Sequence, residues 1–143
     1  MSNAERLAEA IGTVFTDSET KVDEALIEHM IEALTSLTSP DVTTVMAGPD
    51  DSFISVYEGG DGIRAAWADW LGSFAEVRFQ VEGIEEFGDN VLTLGRQVGT
   101  SRVGGVELEQ PSAAVWKFRD GKLVRIEFHL NRDKAYESAR QPA

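Results

Sequence analysis

The sequence contains no cysteine among its 143 residues. This absence excludes disulfide bonds, thiolate nucleophiles and cysteine-ligated metal sites, and it is typical of a reducing compartment. The two histidines, His29 and His129, lie far apart in the sequence, so a transition-metal site would also lack ligands. Because Walker loops and dinucleotide-binding glycine motifs are missing as well, we expect neither a metal nor a cofactor.

Basic residues are also few, with 13 Lys and Arg against 25 Asp and Glu, which gives a formal net charge of -12. Such a surface repels phosphate backbones, so we expect no nucleic-acid partner. No apolar run approaches the roughly 18 residues of a membrane-spanning helix. Residues 1–10 lack the basic and apolar regions of a secretory signal. The sequence therefore predicts a cytoplasmic protein that does not bind membranes.

What the sequence does contain is enough apolar material for a folded core. Hydrophobic residues make up 42% of the chain, which suffices for a chain of this length. No repeat, linker or low-complexity segment divides the sequence. We therefore expect a single domain over residues 1–143.

Three segments in the first half show the apolar spacing of amphipathic helices. The predicted helices cover residues 3–16, 18–37 and 60–74. Ser18 or Thr20 is the expected N-cap of the second helix, and Asp61 is the expected N-cap of the third.

Most of the remaining sequence has the alternation and turn residues of β-strands. The predicted strands cover residues 41–48, 51–60, 75–87, 91–102, 106–118 and 122–130. A short helix is expected after residues 131–133. This order predicts an α+β fold, in which helices pack across one face of a curved antiparallel sheet and leave a cavity between the layers.

Asp120-Gly121 predicts a two-residue hairpin turn between the last two strands. Counted outward from this turn, the expected pairs include Trp116 with Arg125, Ala114 with Glu127, and Ser112 with His129. Directly opposed residues share a face of the sheet. One face would therefore combine a large aromatic residue, two small residues and three ionisable groups, which is typical of a ligand pocket.

Glu127, His129 and Arg96 are the candidate catalytic residues. In an apolar pocket the pKa of Glu127 would rise towards neutral, which suits a general base, and His129 would be its acid–base partner. Arg96 would pair with Glu127 or orient an anionic group of a substrate. Each residue has a structural alternative: an ion pair of Glu127 with Arg96 or Arg125, a hydrogen-bonded strand histidine, and a solvent-facing arginine.

Six further residues are candidates for contact with a ligand. They are Trp116, Tyr57, Trp67, Trp70, Ala114 and Ser112. The tryptophans would form walls of the pocket, and Tyr57 would donate a hydrogen bond at its mouth. The alternative for each tryptophan is an ordinary place in the hydrophobic core.

Three segments resemble the SnoaL-like branch of the nuclear-transport-factor-2-like superfamily. They are "GGDGIRAAWADWLGSF", "LGRQVGTSRVGG" and "QPSAAVWKFRDGKLVRIEFHLNRDKA", and the resemblance covers about residues 22–138. It implies a cone-shaped α+β barrel with a pocket between sheet and helices, a small apolar ligand, and homodimers formed through the sheet. The superfamily includes ketosteroid isomerases, polyketide cyclases, scytalone dehydratase and limonene epoxide hydrolase, together with non-catalytic proteins.

The sequence departs from the motifs of these enzymes. The epoxide hydrolases carry an Arg-x-Asp on one strand, whereas Arg96-Gln97-Val98 lacks that carboxylate. Ketosteroid isomerases use a Tyr and a protonated Asp as oxyanion donors, and this chain offers only Tyr57 and Tyr136. Two functions therefore stay open. One is cofactor-free acid–base catalysis of an isomerase, cyclase, dehydratase or hydrolase reaction. The other is a non-catalytic module that binds a small ligand or dimerises.

Overall fold

The structure, a computed structural model, describes residues 1–15, 19–48 and 54–143. The helices of this part of the chain are α1 (Asn3–Gly12), α2 (Glu24–Leu34), α3 (Gly59–Gly72) and α4 (Arg132–Ala139). The strands are β1 (Thr20–Lys21), β2 (Thr38–Ala47), β3 (Ile54–Glu58), β4 (Phe74–Phe87), β5 (Asn90–Ser101), β6 (Glu107–Arg119) and β7 (Lys122–His129). The predicted α+β class is confirmed.

All seven strands belong to one curved sheet with the order β1-β4-β5-β6-β7-β2-β3. Neighbouring strands are antiparallel except β2 and β7, which run parallel. The sheet does not close into a barrel, because the two ends of this order, β1 and β3, are not paired with each other. Strands β4 to β7 lie in the middle of this order, where both faces are available for packing.

The two faces of the sheet carry separate clusters of side chains. The inner face carries Trp116 and Ile126, which pack with buried residues of α1 to α3 such as Leu7 and Met30. The outer face carries Leu92 and Val115, which pack with Ala135 and Ala139 of α4. The helices predicted to pack across the sheet therefore do so on the inner face, and the C-terminal helix lies on the opposite side.

The second helix begins later than predicted. Its N-cap is Asp23, whose Oδ1 accepts a hydrogen bond from the backbone N–H of Leu26 at 2.8 Å. Thr20 instead lies in β1 opposite Phe79, so the predicted cap at Thr20 is wrong. Ser18, the alternative cap, lies outside the described residues. Residues Thr20 and Lys21 form a strand of the sheet before α2 begins at Glu24. Apolar spacing alone does not predict this short strand.

The third helix begins after Glu58, which makes no side-chain capping bond. Asp61, the predicted cap, lies in the first turn of the helix, where its charge still complements the helix dipole. The strand before this helix ends at Glu58. Residues 49–53 of the predicted turn and strand lie outside the described residues.

Strand β2 begins before Pro40 rather than after it. The pairing of β2 with β7 is irregular between Thr38 and Thr43, and Pro40 falls within this irregular stretch. Proline is tolerated where the regular ladder is interrupted, because it has no N–H to donate. The predicted start at residue 41 was therefore too late.

The predicted turn at the last hairpin is confirmed. Asp120 and Gly121 both have positive φ, at 53° and 78°, as a two-residue turn of this type requires. The first pairs after the turn, Arg119 with Lys122 and Phe118 with Leu123, also match the prediction.

Beyond these pairs, a β-bulge shifts the register by one residue. Val124 is the extra residue, because Leu123 pairs with Phe118 and Arg125 pairs with Lys117. The following pairs are Trp116 with Ile126, Val115 with Glu127, Ala114 with Phe128, and Ala113 with His129. A shift of one residue moves side chains to the other face of a sheet. The predicted pairs of Trp116 with Arg125, Ala114 with Glu127, and Ser112 with His129 are therefore wrong.

Candidate functional site

A cavity of about 280 Å³ lies between the inner face of the sheet and helices α1 to α3. The helices contribute Ile11, Met30, Trp67 and Trp70 to its lining, and the sheet contributes Met46, Phe79, Thr93, Gly95, Gln97, Gln110, Ser112, Ala114, Trp116 and Phe128, among others. Aromatic and aliphatic side chains dominate this surface. Among the described residues no Asp, Glu, Lys, Arg or Tyr lines it, and His129 is the only titratable residue that does.

Glycines of β5 create room for aromatic rings over the sheet. A Cβ atom placed on Gly95 would lie 2.3 Å from Cζ of Phe79, and one on Gly99 would lie 2.6 Å from the ring of Phe74. Any side chain at these positions would push the rings away from the sheet. The close approach of Phe79 to the backbone at Gly95 therefore helps to shape the cavity.

The three tryptophans of the chain all line the cavity. Trp67 contacts Trp70 and Phe128 edge to face, with ring centroids 5.6 Å and 5.2 Å apart. Trp116 is fixed by a buried hydrogen bond from its Nε1 to Oγ1 of Thr93, at 3.0 Å. The structure thus brings together the predicted aromatic wall, although contact of these residues with a ligand stays a prediction.

The other predicted ligand contacts divide into two groups. Ala114 and Ser112 line the cavity. Tyr57 does not, because it lies in β3 and its hydroxyl donates a hydrogen bond to Oδ2 of Asp69 on α3, at 2.7 Å. This bond to a carboxylate raises the pKa of Tyr57 above its ordinary value, and burial adds to the effect. The expected place of Tyr57 at the mouth of the cavity is therefore wrong.

Sequence reasoning missed the main polar group of the cavity, which is a pair of glutamines. Gln97 of β5 and Gln110 of β6 are directly opposed, and Nε2 of Gln97 donates to Oε1 of Gln110 at 3.0 Å. Both residues line the cavity, and Gln97 is buried. The available signal was the alternation of Gly95, Gln97 and Gly99, which places a long polar residue between two small ones on one face.

Glu127 lies on the outer face of the sheet and is not part of the cavity lining. It is buried, with 5% of its surface exposed. Oε2 accepts a hydrogen bond from Nε of Arg125 at 2.6 Å, Oε1 lies 2.8 Å from Nε2 of His129, and Ser138 of α4 also bonds to the carboxylate. Nζ of Lys117 lies 4.0 Å from Oε2 of Glu127. Glu127 therefore forms an ion pair with Arg125, one of the two partners of its structural alternative, and its predicted place in the pocket is wrong.

These partners determine the protonation of Glu127. Burial alone would raise its pKa, but the hydrogen bonds from His129, Ser138 and Arg125 outweigh burial and lower the pKa from 4.5 to about 2. The expected rise of the Glu127 pKa towards neutral is therefore wrong. Lys117 is buried beside this group, and burial lowers the pKa of its amine while the carboxylate opposes that effect.

His129, the last residue of β7, pairs with Ala113, and its ring lies on the outer face beside Glu127. The residue is among those that line the cavity, and its Nε2 bonds to Glu127 on the outer face. Since Glu127 is ionised and can only accept, Nε2 carries a proton, and in the neutral ring Nδ1 is then the acceptor. Nδ1 is buried and has no hydrogen-bond partner among the described residues.

Arg96 lies on the outer face and does not line the cavity. Its guanidinium binds Glu82 at 3.3 Å and Glu109 at 3.1 Å rather than Glu127. The side chain is 36% exposed, which agrees with the alternative of a solvent-facing strand residue. The structure therefore does not bring the three predicted catalytic residues together.

The described residues offer no group of three or more His, Cys, Asp or Glu side chains that could hold a metal ion. None of the helices that these residues form is long and apolar enough to cross a membrane.

The order of elements, with a cavity between sheet and helices, is an α+β fold of the SnoaL-like or NTF2-like type. The profile of the SnoaL-like domain matches residues 20–126, which is most of the chain. The chain therefore belongs to the SnoaL-like domain family. No curated protein matches its sequence.

Solved structures show the same fold at low sequence identity. TerC co-crystallised with polyporic acid is 22% identical, with a TM-score of 0.60 over 97% of this chain and 98% of TerC. A putative SnoaL-like polyketide cyclase from Jannaschia sp. CCS1 is 17% identical, with a TM-score of 0.65 over 97% and 94%. A protein of ketosteroid isomerase-like fold from Catenulispora acidiphila, in complex with trimethylamine, is 14% identical, with a TM-score of 0.61 over 96% and 94%. These similarities concern the fold, and homodimer formation through the sheet stays a prediction.

Proposed function

We propose that this protein binds a small, largely apolar organic molecule in the cavity between the inner sheet face and helices α1 to α3. The lining of that cavity carries the proposal. Its surface is dominated by aromatic and aliphatic side chains, with a few polar groups that would orient a ligand. Transfer of apolar ligand surface from water to such a lining lowers the free energy of the system. Sites of this composition are typical of small-molecule binding.

The size of the cavity supports a small ligand. A volume of about 280 Å³ lies just below the roughly 300 Å³ at which typical ligand pockets begin, which suits a molecule with one or two rings. Similar folds have been crystallised with small organic molecules: TerC with polyporic acid, and the Catenulispora acidiphila protein with trimethylamine.

Ethylbenzene is a suitable first probe, and the protein contains its own reporter. All three tryptophans line the cavity, so a bound probe should change the intrinsic fluorescence, and it should also raise the melting temperature. Ala114→Leu would place a larger side chain in the cavity and should weaken binding at least tenfold. Ala68→Leu, on the exposed side of α3, makes the same change away from the cavity and should bind normally.

Two results would contradict the proposal. One is that neither fluorescence nor melting temperature responds to ethylbenzene or to other apolar probes of similar size. The other is that Ala114→Leu, shown by a cooperative melting transition to be folded, binds as well as the wild type.

A second candidate function is acid–base catalysis without a cofactor, and the position of His129 favours it. His129 lines the cavity, and its Nε2 is held at 2.8 Å from the ionised carboxylate of Glu127. A carboxylate on one ring nitrogen fixes the tautomer and leaves the other nitrogen as the basic atom. Nδ1 is buried in this structure, so in this proposal the side chains that cover it would move aside before His129 exchanges a proton with the ligand. Glu127 would act as a positioning residue from the outer face.

Deuterium exchange tests this second function without knowledge of the natural substrate. A base in the cavity should accelerate exchange at the carbons beside the carbonyl of a small apolar ketone such as 2-indanone, which NMR follows directly. His129→Gln should abolish the acceleration and retain the binding of ethylbenzene. If the wild type gives no acceleration, or if His129→Gln gives the same acceleration, the binding function alone remains.

A further inference from the structure

The glutamine pair of the cavity has hydrogen-bonding capacity left over. Each side-chain amide offers two N–H donors and one carbonyl acceptor. The bond from Gln97 to Gln110 uses one N–H of the former and one lone pair of the latter. No other hydrogen bond to either amide is found in the described parts of the chain. The carbonyl of Gln97 and the amino group of Gln110 therefore remain as an acceptor and a donor.

This conclusion does not depend on how the two amides are oriented. If both were turned over, Nε2 of Gln110 would donate to Oε1 of Gln97, and the pair would again leave one carbonyl and one amino group. In either orientation the polar point of the cavity offers both a donor and an acceptor. The hydroxyl of Ser112, which lies two residues from Gln110 on β6 and also lines the cavity, adds a second group of the same dual character.

The charged residues next to this pair in the sequence lie on the other face of the sheet. Arg96 and Glu109, the sequence neighbours of the two glutamines, bind each other on the outer face at 3.1 Å. Neither residue lines the cavity. The described residues that line the cavity include no Asp, Glu, Lys or Arg. A charged ligand would therefore lose its hydration without meeting a carboxylate, ammonium or guanidinium group among them, which is unfavourable.

We infer that the Gln97–Gln110 pair determines ligand specificity, and that the ligand is an uncharged apolar molecule carrying one group that both donates and accepts hydrogen bonds. A phenol, an enol or another hydroxyl on a ring has this character. The inference rests on the proposed function, because it specifies the chemistry of a ligand for the same cavity.

Three probes of nearly equal size separate the contributions of apolar contact, a neutral hydroxyl and a negative charge to the binding free energy. Ethylbenzene has no polar group, 4-ethylphenol adds a neutral hydroxyl, and 4-ethylbenzoate carries a negative charge at neutral pH. Binding is measured by tryptophan fluorescence, excited at wavelengths that the phenol does not absorb, and is checked by calorimetry. The wild type should bind 4-ethylphenol about tenfold more tightly than ethylbenzene, as one or two well-made hydrogen bonds would give, and 4-ethylbenzoate most weakly.

The double variant Gln97→Leu/Gln110→Leu tests the role of the pair. It should lose the preference for 4-ethylphenol, so that the ratio of its dissociation constants for ethylbenzene and 4-ethylphenol falls to about one. Gln80→Leu is the control, since Gln80 lies opposite Arg96 on β4 and does not line the cavity. If the double variant lacks a cooperative melting transition, Gln110→Leu alone should change the preference in the same direction.

The results distinguish failure of this inference from failure of the proposed function. If ethylbenzene binds but 4-ethylphenol binds no better, or if the preference survives in the glutamine variants, the inference is wrong and the proposed function stands. Tightest binding of 4-ethylbenzoate would also overturn the inference. If none of the three probes binds, the proposed function itself fails.

Discussion

Nε2 of His129 lies 2.8 Å from Oε1 of Glu127, and this contact joins the border of the cavity to a buried charged group on the outer face of the sheet. The group contains one carboxylate with Arg125 and Lys117 as its cationic neighbours. Its partners hold Glu127 ionised although it is buried. Glu127 is therefore expected to stabilise the fold, because it is the carboxylate that pairs with Arg125 and Lys117.

We expect Glu127→Gln to destabilise the protein. The substitution leaves Arg125 and the buried Lys117 without their carboxylate, and loss of one partner from a buried ionic group costs about 3 to 5 kcal/mol. For a chain of this size the melting temperature should fall by roughly 10 °C. Glu28→Gln is the control, because the Glu28–Arg64 pair is exposed and should contribute little. A higher melting temperature for Glu127→Gln would contradict the stabilising role.

Stability should also depend on pH through the same carboxyl group. Its pKa is lower in the folded protein, about 2, than the ordinary 4.5, so the folded state binds fewer protons between these values. The contribution is complete above about pH 5, is lost as the pH falls towards 2, and amounts to about 3 kcal/mol. Urea unfolding at several pH values should show the difference between wild type and Glu127→Gln shrinking towards acid. A constant difference would mean that Glu127 titrates alike in both states.

The hydrogen bond from Trp116 to Thr93 should contribute measurably to stability. Thr93→Val leaves the buried indole N–H without a partner, and Trp116→Phe leaves the hydroxyl without one, so each change should cost about 1 to 3 kcal/mol. The double variant should cost less than the sum of the two, with a coupling of about 1 kcal/mol measured by urea unfolding. Strict additivity would indicate that the bond is not formed in solution.

Much of the fold is predictable from the sequence because its signals are local. Asp120-Gly121 defines its turn through positive φ at both positions, and the alternation along β4 to β7 identifies the long strands. The aromatic side of the cavity is predictable for the same reason. Trp67 and Trp70 belong to the apolar face of one helix, and Trp116 lies on a strand of clear alternation.

The facing of the ionisable residues is not predictable in this way. One bulge at Val124 reverses the face of every later residue of β7, and nothing in the local sequence requires it. Glu127 was therefore expected in the cavity, whereas it lies under α4 with Ser138 as a partner. The glutamine pair was not predicted for a related reason. That Gln97 lies opposite Gln110 follows only from the register of β5 and β6, which the sequence does not reveal.

The cavity should be sensitive to a single methyl group at Gly95. A Cβ there would lie 2.3 Å from Cζ of Phe79, so Gly95→Ala should push that ring into the cavity, destabilise the fold by about 1 to 3 kcal/mol and weaken ethylbenzene binding. Gly83→Ala is the matched control on the neighbouring strand. Its Cβ would meet only Leu94, at an ordinary 3.9 Å, and its stability and binding should stay near those of the wild type.

Urea unfolding and tryptophan fluorescence measure both effects of Gly95→Ala on the same samples. The two effects should appear together, because one displaced ring causes both. A variant that loses stability but binds ethylbenzene normally would show that Phe79 moves away from the cavity rather than into it. If Gly95→Ala matched Gly83→Ala in both measurements, the close contact between Gly95 and Phe79 would not be what keeps the cavity open.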